Sequence, residues 1–227
     1  MKKVLVSDTI APEGIAIFKE APGIEVDVMT NLTPDELRGV IGEYDGLAIR
    51  SATKATAELL AKATRLKVIG RAGIGVDNVD IKAATARGII VMNTPFGNSI
   101  TTAEHAVSLM LALARQIPEA NASTQSGKWE KSRFMGVEVT AKTLGIIGCG
   151  NIGSVVASRG IGLSMRVIAF DPFLSAERAQ SIGVEKVELP ELLRRADVIT
   201  LHTPLTDMTK NIIDADAIAQ MKTGVII

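Results

Sequence analysis

Cysteine is all but missing from this sequence: of 227 residues only Cys149 carries a thiol. A lone cysteine forms no intrachain disulfide, which fits a reducing, cytoplasmic setting. Histidine is nearly as scarce, with His105 and His202 far apart in the chain. Two distant histidines and one cysteine make no zinc site, and no metal is expected. Net charge is lacking too, because 25 Lys and Arg balance 25 Asp and Glu. A balanced chain has no general attraction for nucleic acid or an anionic membrane, so neither partner is expected. Long apolar runs are also absent. The stretch 106–114 is bracketed by Glu104, His105 and Arg115, well short of a membrane span. The opening MKKVLVSDTI holds two lysines but only a strand-length apolar run, too short for a signal peptide.

What is present is the composition of a globular protein, 47% hydrophobic and 22% charged, long enough for one large or two modest domains. Short Val- and Ile-rich runs at 4–7, 25–29, 46–49, 67–70 and 89–92 read as strands. Helical spacing fills the gaps at 13–20, 34–43, 56–63 and 80–87. Thr33-Pro34-Asp35-Glu36 is a helix start, and Gly88 reads as a C-cap. Near-continuous apolar strands separated by helices predict a parallel sheet covered on both faces. At Asn93–Asn98 the rhythm changes to loop chemistry, then a long helix is predicted over 100–116, a weaker one after it, and a polar stretch over 125–142. The expected boundary lies near Pro95: 1–95 as one domain, 96–227 as a second with strands at 142–148, 166–170, 184–187, 197–201 and 224–227. The alternation reaches residue 227 inside a strand, so the second domain is expected to be C-terminally incomplete. The fold class is therefore α/β, two doubly wound parallel-sheet domains of Rossmann or flavodoxin-like type with a cleft between them.

The second domain carries the strongest motif, Gly148-Cys149-Gly150-Asn151-Ile152-Gly153. A lone GxGxxG is weak. Here it follows an apolar strand, opens a helical pattern over 151–163, and is followed by the strand RVIAF ending at Asp171, which completes the dinucleotide fingerprint. Gly148 permits the tight turn, Gly150 admits a pyrophosphate, and Gly153 lets helix and strand pack closely. Free N–H groups and the positive dipole at the helix start suit phosphates, and Asp171 suits ribose hydroxyls. Asp171 would repel a 2′-phosphate, and no arginine follows it directly, so NAD is expected over NADP. Cys149 is read as filling a variable position of the fingerprint rather than as a redox switch.

In the first domain Arg50-Ser51 closes the strand GLAIR, and Arg71-Ala72-Gly73 closes KVIG. Both arginines fall at carboxyl ends of parallel strands, where open α/β sheets bind ligands. A guanidinium donates two parallel hydrogen bonds to carboxylate or phosphate, and Gly73 and Gly75 free the backbone beside it. An anionic substrate site is the reading the pair favours; two surface arginines beside a glycine turn is the alternative. Asn98 suits a substrate contact or a cap for the long helix. Lys131 and Arg133 fit a solvated loop face or extra positive charge. His105 reads as a packed or interface histidine, and His202, at the end of DVITLH, as lying near a bound dinucleotide. Neither has a carboxylate partner visible in the sequence, so no catalytic residue is assigned. The apolar helix over 100–116 is expected to help build a homodimer or larger homo-oligomer.

These residues, with the stretches RSATKATAELL (50–60), GRAGIGVDNVD (70–80), GIIVMNTPFGNS (88–99), ARQIPEANAS (114–123), KTLGIIGCGNIG (142–153) and ITLHTPLT (199–206), resemble the D-isomer-specific 2-hydroxyacid dehydrogenases throughout the chain. The resemblance implies NAD-dependent oxidation of 3-phospho-D-glycerate to 3-phosphohydroxypyruvate, the entry to serine synthesis. It implies substrate contacts by Arg50, Ser51 and Asn98, with Arg71 and Gly73 lining the same loop. Cofactor contacts would come from the backbone of Asn151 and Ile152, from Asp171, and from His202, Thr203 and Pro204. Ile74 falls where relatives carry a cofactor-contacting threonine and offers only its backbone. The family's catalytic arginine, acid and histidine, and a helix returning to the first domain, would follow residue 227, so these residues alone are expected to bind with little or no turnover. Two other readings remain: a dinucleotide-sensing, corepressor-like module, and a sister reductase acting on glyoxylate or hydroxypyruvate.

Overall fold

A computed structural model describes residues 1–227, which form two compact units, Met1–Asn98 and Ser99–Ile227, parting just beyond Pro95. In the first, β1 (Lys2–Val6), β2 (Ile24–Val28), β3 (Gly46–Ile49), β4 (Val68–Arg71) and β5 (Ile90–Asn93) form a parallel sheet in the order β2-β1-β3-β4-β5. Between them lie α1 (Pro12–Glu20), α2 (Pro34–Val40), α3 (Ala57–Lys62) and α4 (Ile81–Ala86). Local chemistry sets several of these bounds. Thr33 and Glu36 close a capping box around Pro34 at the first turn of α2, and Thr56 and Asp80 cap α3 and α4. The helix predicted to run to residue 43 instead tightens into a 3-10 turn at Ile41–Glu43. Gly88, at φ +68, ends the turn after α4 as expected.

The core of this unit lies on one sheet face, where Leu5, Leu47, Ile49 and Ile69 meet Leu37, Leu59, Leu60 and Ala84 of α2, α3 and α4. Each fully buried Leu or Ile there contributes about 1.5–3 kcal/mol. The opposite face, with Val6 and Ala48 buried, is covered more thinly. Only α1 lies over it, with no residue of its own buried, and the alternate strand residues Val4, Gly46, Ala48, Val68 and Met92 line an apolar groove of about 370 Å³.

The second unit begins with α5 (Ser99–Ala114) and α6 (Ile117–Gln125), then alternates β6 (Thr143–Ile147), α7 (Asn151–Gly162), β7 (Arg166–Phe170), α8 (Ala176–Ser181), β8 (Glu185–Lys186), α9 (Leu189–Arg195), β9 (Val198–Leu201) and α10 (Ala215–Ala219). Its parallel sheet runs β8-β7-β6-β9 and is covered on both faces. Ala103 and Met110 of α5 and Val156 of α7 pack with Leu144 and Ile146 on one face, and Leu192, Leu193 and Ala217 pack with Ile147, Ile168 and Ile199 on the other. The strand predicted over 224–227 is reduced to a single bridge, Val198↔Ile226. Val225 N donates to Lys222 O in a turn with Gly224 at φ +81, so pairing starts at Ile226 rather than 224: its N–H donates to Asp197 O and its carbonyl accepts from Ile199 N. No helix is long and apolar enough to cross a membrane.

Candidate functional site

Each sheet reverses strand order beside its first strand, between β1 and β3 in one unit and β6 and β9 in the other. In open α/β sheets ligands bind at that point, beyond the strands' carboxyl ends. The fingerprint glycines of the second unit sit there. Gly148 leaves β6 at φ +90, and a Cβ on it would lie 2.7 Å from Thr203 Cγ2 and 2.8 Å from the His202 carbonyl oxygen, so the loops after β6 and β9 touch. A Cβ on Gly153 would fall 2.1 Å from Gly148 O, a clash that only glycine avoids as α7 packs onto the strand end. At Gly150 a Cβ would meet nothing within 4 Å, and Gly150 is also the N-cap of α7, with no side chain to cap it. That is open space bounded by the positive end of a helix, the arrangement that takes a phosphate.

Asn151 and Ile152 begin α7, as the motif requires. Asp171 is half-buried just past β7, its Oδ2 accepting from Cys149 N at 2.8 Å and its Oδ1 from Phe173 N at 2.8 Å. Two backbone donors fix its orientation, and a carboxylate retains further acceptor positions for ribose hydroxyls. Burial first, then the Asp171 charge, pushes the Cys149 thiol up to about 11, which keeps it protonated and unreactive. His202 Nε2 lies 3.0 Å from Thr200 Oγ1, and burial lowers its pKa, so the ring is held neutral without a carboxylate partner. Thr203 is half-buried and Pro204 exposed in the same loop. His105 is exposed on α5, which removes the packed alternative for it. Arg133 is engaged with Glu130 at 3.2 Å and lies over the Phe134 ring at 5.2 Å, while Lys131 shares its short 3-10 turn.

In the first unit Ile49 and Arg71 are direct partners across β3 and β4, so Arg50 and Arg71 stand at neighbouring strand ends. Arg50 and Ser51 are exposed, and neither Arg50 nor Arg71 has an acidic partner in an ion pair. The Arg71 guanidinium folds back over Gly73, where a Cβ would lie 1.6 Å from Nη1, and its Nε is buried without a hydrogen-bond partner. Glycine is needed at 73 to leave room for an arginine. The Gly73 carbonyl accepts from Thr94 N at 3.0 Å, and the Ile74 carbonyl accepts from Asn93 Nδ2 at 2.6 Å, which ties this turn to the residues after β5. Asn98 is exposed in the turn directly before α5. A cavity of about 450 Å³ opens beyond Asp8, Thr30 and Thr53, and neither Arg50 nor Ser51 lines it.

Sequence reasoning passed over the residues that hold the Arg50 turn. Asp8 is buried, 5% exposed, and accepts from Arg50 N at 2.6 Å, from Thr53 Oγ1 at 2.6 Å and from Thr53 N at 3.1 Å. Burial alone would raise the Asp8 pKa, but the Thr53 hydroxyl and the backbone N–H groups of Arg50, Thr53 and Ala52 outweigh it and hold the carboxyl below its ordinary value. Asn78 Nδ2 donates to Arg50 O at 2.7 Å and Thr53 O at 2.6 Å. The one available signal was an acid directly past β1, which meets Arg50 only once β1 and β3 are known to be neighbours.

Fold and glycine loop together define a nucleotide-binding α/β protein with a second, arginine-bearing unit. Residues 107–227 match the model of the D-isomer-specific 2-hydroxyacid dehydrogenase NAD-binding domain, and the chain belongs to that family. It is 50% identical over 222 residues to D-3-phosphoglycerate dehydrogenase of Synechocystis, covering 98% of this chain and 40% of that protein. The Archaeoglobus fulgidus D-3-phosphoglycerate dehydrogenase is 49% identical, with 99% and 42% covered. Among solved structures, D-lactate dehydrogenase from Aquifex aeolicus, complexed with NAD and lactic acid, superposes with a TM-score of 0.88 at 27% identity, covering 99% of this chain and 67% of that one. The chain thus spans about two fifths of the length of the curated relatives it matches.

Proposed function

We propose that this chain supplies substrate and cofactor recognition for NAD-dependent oxidation of 3-phospho-D-glycerate to 3-phosphohydroxypyruvate. The observation that carries the reading is the pair of guanidiniums without acidic partners, Arg50 and Arg71, at adjacent strand ends. The substrate bears a carboxylate and a phosphate, and an arginine fork matches either bidentately. Ser51 adds a hydroxyl beside Arg50, and Gly73 leaves Arg71 its place. Asn98 is assigned to the same substrate.

In the second unit the backbone N–H groups of Asn151 and Ile152, at the start of α7, would hold the pyrophosphate and Asp171 the adenosine ribose. Thr203 and Pro204 would line the nucleotide from the β9 side. NAD, when bound, supplies a nicotinamide that accepts hydride from the C2 alcohol. His202, neutral and bonded to Thr200, contributes packing and polarity there rather than proton transfer. Asp171 disfavours a 2′-phosphate, so NAD is preferred to NADP. A corepressor-like module that only senses dinucleotide has no use for two uncompensated arginines, and a glyoxylate or hydroxypyruvate reductase has no phosphate to place on them.

On α5, Leu109 and Leu113 are 52% and 55% exposed beside the buried Met110 and Ala114. We assign this stripe to contact with a second copy of the chain. The functional test is thermal protection by 3-phosphoglycerate. Protection that Arg50→Ala abolishes, and that glycerate without phosphate fails to reproduce, supports the reading; no protection of the unaltered chain refutes it.

A further inference from the structure

The turn bearing Arg50 and Ser51 is gripped on both sides by side chains from other segments of the first unit. On one side the Asp8 carboxylate takes the N–H groups of Arg50 and Thr53, the first and fourth residues of the turn. It also takes the Thr53 hydroxyl at 2.6 Å, and Ser7 Oγ, 2.9 Å from that same hydroxyl oxygen, must then be the donor to it. On the other side Asn78 uses both protons of Nδ2 on the carbonyls of the same two residues. Its orientation follows, because a flipped amide would set its oxygen against two carbonyl oxygens. The price is a buried Oδ1 with no partner. Buried polar groups are nearly always satisfied, and an orphan is tolerated where the other half of the side chain does something needed. The segment that carries Asn78 is itself anchored, since Ala55 N donates to Asn78 O and Asp80 N to Ala55 O.

A four-residue turn with N–H groups held from one side and carbonyls from the other has little backbone freedom, while its Arg50 and Ser51 side chains are exposed, with Arg50 Nη1 donating to Thr9 O at 3.3 Å. Preorganisation of this kind removes an ordering cost that binding would otherwise have to meet. We propose that Asp8 and Asn78 are positioning residues that act through a two-sided backbone clamp to hold Arg50 and Ser51 for their anionic ligand. The proposal deepens the substrate reading above and rests on it. Neither residue touches the ligand; each sets the conformation of the turn that does.

The clamp is tested on the full chain with three readouts: amide hydrogen exchange at residues 50–53, calorimetric affinity for 3-phosphoglycerate, and NADH affinity in the second unit. Asp8→Ala removes the acceptor of the Arg50 and Thr53 N–H groups, and Asn78→Ala frees both carbonyls. Each is expected to speed exchange at 50–53 and weaken 3-phosphoglycerate binding about tenfold, the loss expected of charge-assisted or buried hydrogen bonds. Exchange within β3 and β4 and NADH affinity should stay as they were. Thr53→Ser, which retains the hydroxyl on Asp8, should behave like the unaltered chain, and Thr53→Val should not. Unchanged exchange and affinity in Asp8→Ala overturn the clamp, as does acceleration spread evenly over the whole first unit, which marks a merely structural role. Faster exchange at 50–53 with no 3-phosphoglycerate binding by the unaltered chain supports the clamp and refutes the substrate reading instead.

Discussion

The two sheets open their crevices in the same place, beside their first strands, and build them from opposite materials. Between β6 and β9 the walls are backbone: Gly148, Gly150 and Gly153 have no side chains, and a helix start supplies the charge. Between β1 and β3 the walls are side chains: Asp8 and Asn78 grip a turn whose own arginine is exposed. A dinucleotide pyrophosphate needs N–H groups at close range, which glycine permits. A small carboxylate- and phosphate-bearing substrate needs full positive charge held still, which takes arginine and a scaffold to hold it. Cofactor recognition is therefore sensitive to added atoms, and substrate recognition to lost hydrogen bonds.

The sharpest way to break this contrast is Gly153→Ala. A Cβ 2.1 Å from Gly148 O forces α7 off the strand end. Overpacking of this kind costs about 1–3 kcal/mol or more, and NADH binding followed by fluorescence should vanish while 3-phosphoglycerate binding in the first unit persists. Loss of both would show that the units do not recognise their ligands separately. Next in size, Asp171→Asn should weaken NAD by about 10- to 100-fold, since hydrogen bonds to a charged group contribute about 1.5–3 kcal/mol. Titration should also show NADP gaining relative to NAD. Equal affinity of the unaltered chain for both cofactors would remove the role given to Asp171.

Gly73→Ala probes the other side. The added methyl meets only the movable end of Arg71, so the melting temperature should scarcely change while 3-phosphoglycerate binding drops about tenfold, the worth of one charge-assisted hydrogen bond. Acid should separate the units more gently. Burial lowers the His202 pKa, so the unfolded chain binds a proton that the folded second unit refuses, and its stability falls as pH drops below about 6.5. In the first unit the Lys3 N–H and Lys2 hold Asp45 at about 2 against an ordinary 3.8, so that stability is intact above pH 4 and is lost only as pH falls towards 2. Circular dichroism with unit-resolved exchange between pH 7 and 5 should show the second unit weakening first. The smallest effect belongs to Cys149, whose thiol sits at about 11: iodoacetamide should leave the native chain unmodified, and Cys149→Ala should hold NADH within about twofold, since no hydrogen bond to cofactor is removed.

Most of the fold was legible in the sequence because β runs, caps and turn glycines are local signals. Thr33 and Gly88 each act where their chemistry says they should, while Asp80, expected inside its helix, caps it instead. The glycine loop with Asp171 was legible for the same reason, since strand, turn, helix and acid follow one another along the chain. Asp8 and Asn78 were not, because their meaning depends on β1 lying next to β3 and on residues 78–80 lying against 53–55, and neither is a spacing in the sequence. Pairing also decided the start of the segment over 224–227, where apolar residues suggested a strand from 224 but the turn at Gly224 delays pairing to Ile226. Gly73 was read as backbone freedom; its neighbour Arg71 shows that it is kept small for a side chain.

The most direct measurement of the central claim, that the first unit holds the anionic substrate and the second the dinucleotide, is a paired titration of the unaltered chain and Arg50→Ala. Division of the two tasks predicts that Arg50→Ala loses 3-phosphoglycerate binding and keeps NADH binding unchanged. Retention of 3-phosphoglycerate by Arg50→Ala, or loss of both ligands together in a folded chain, would contradict it.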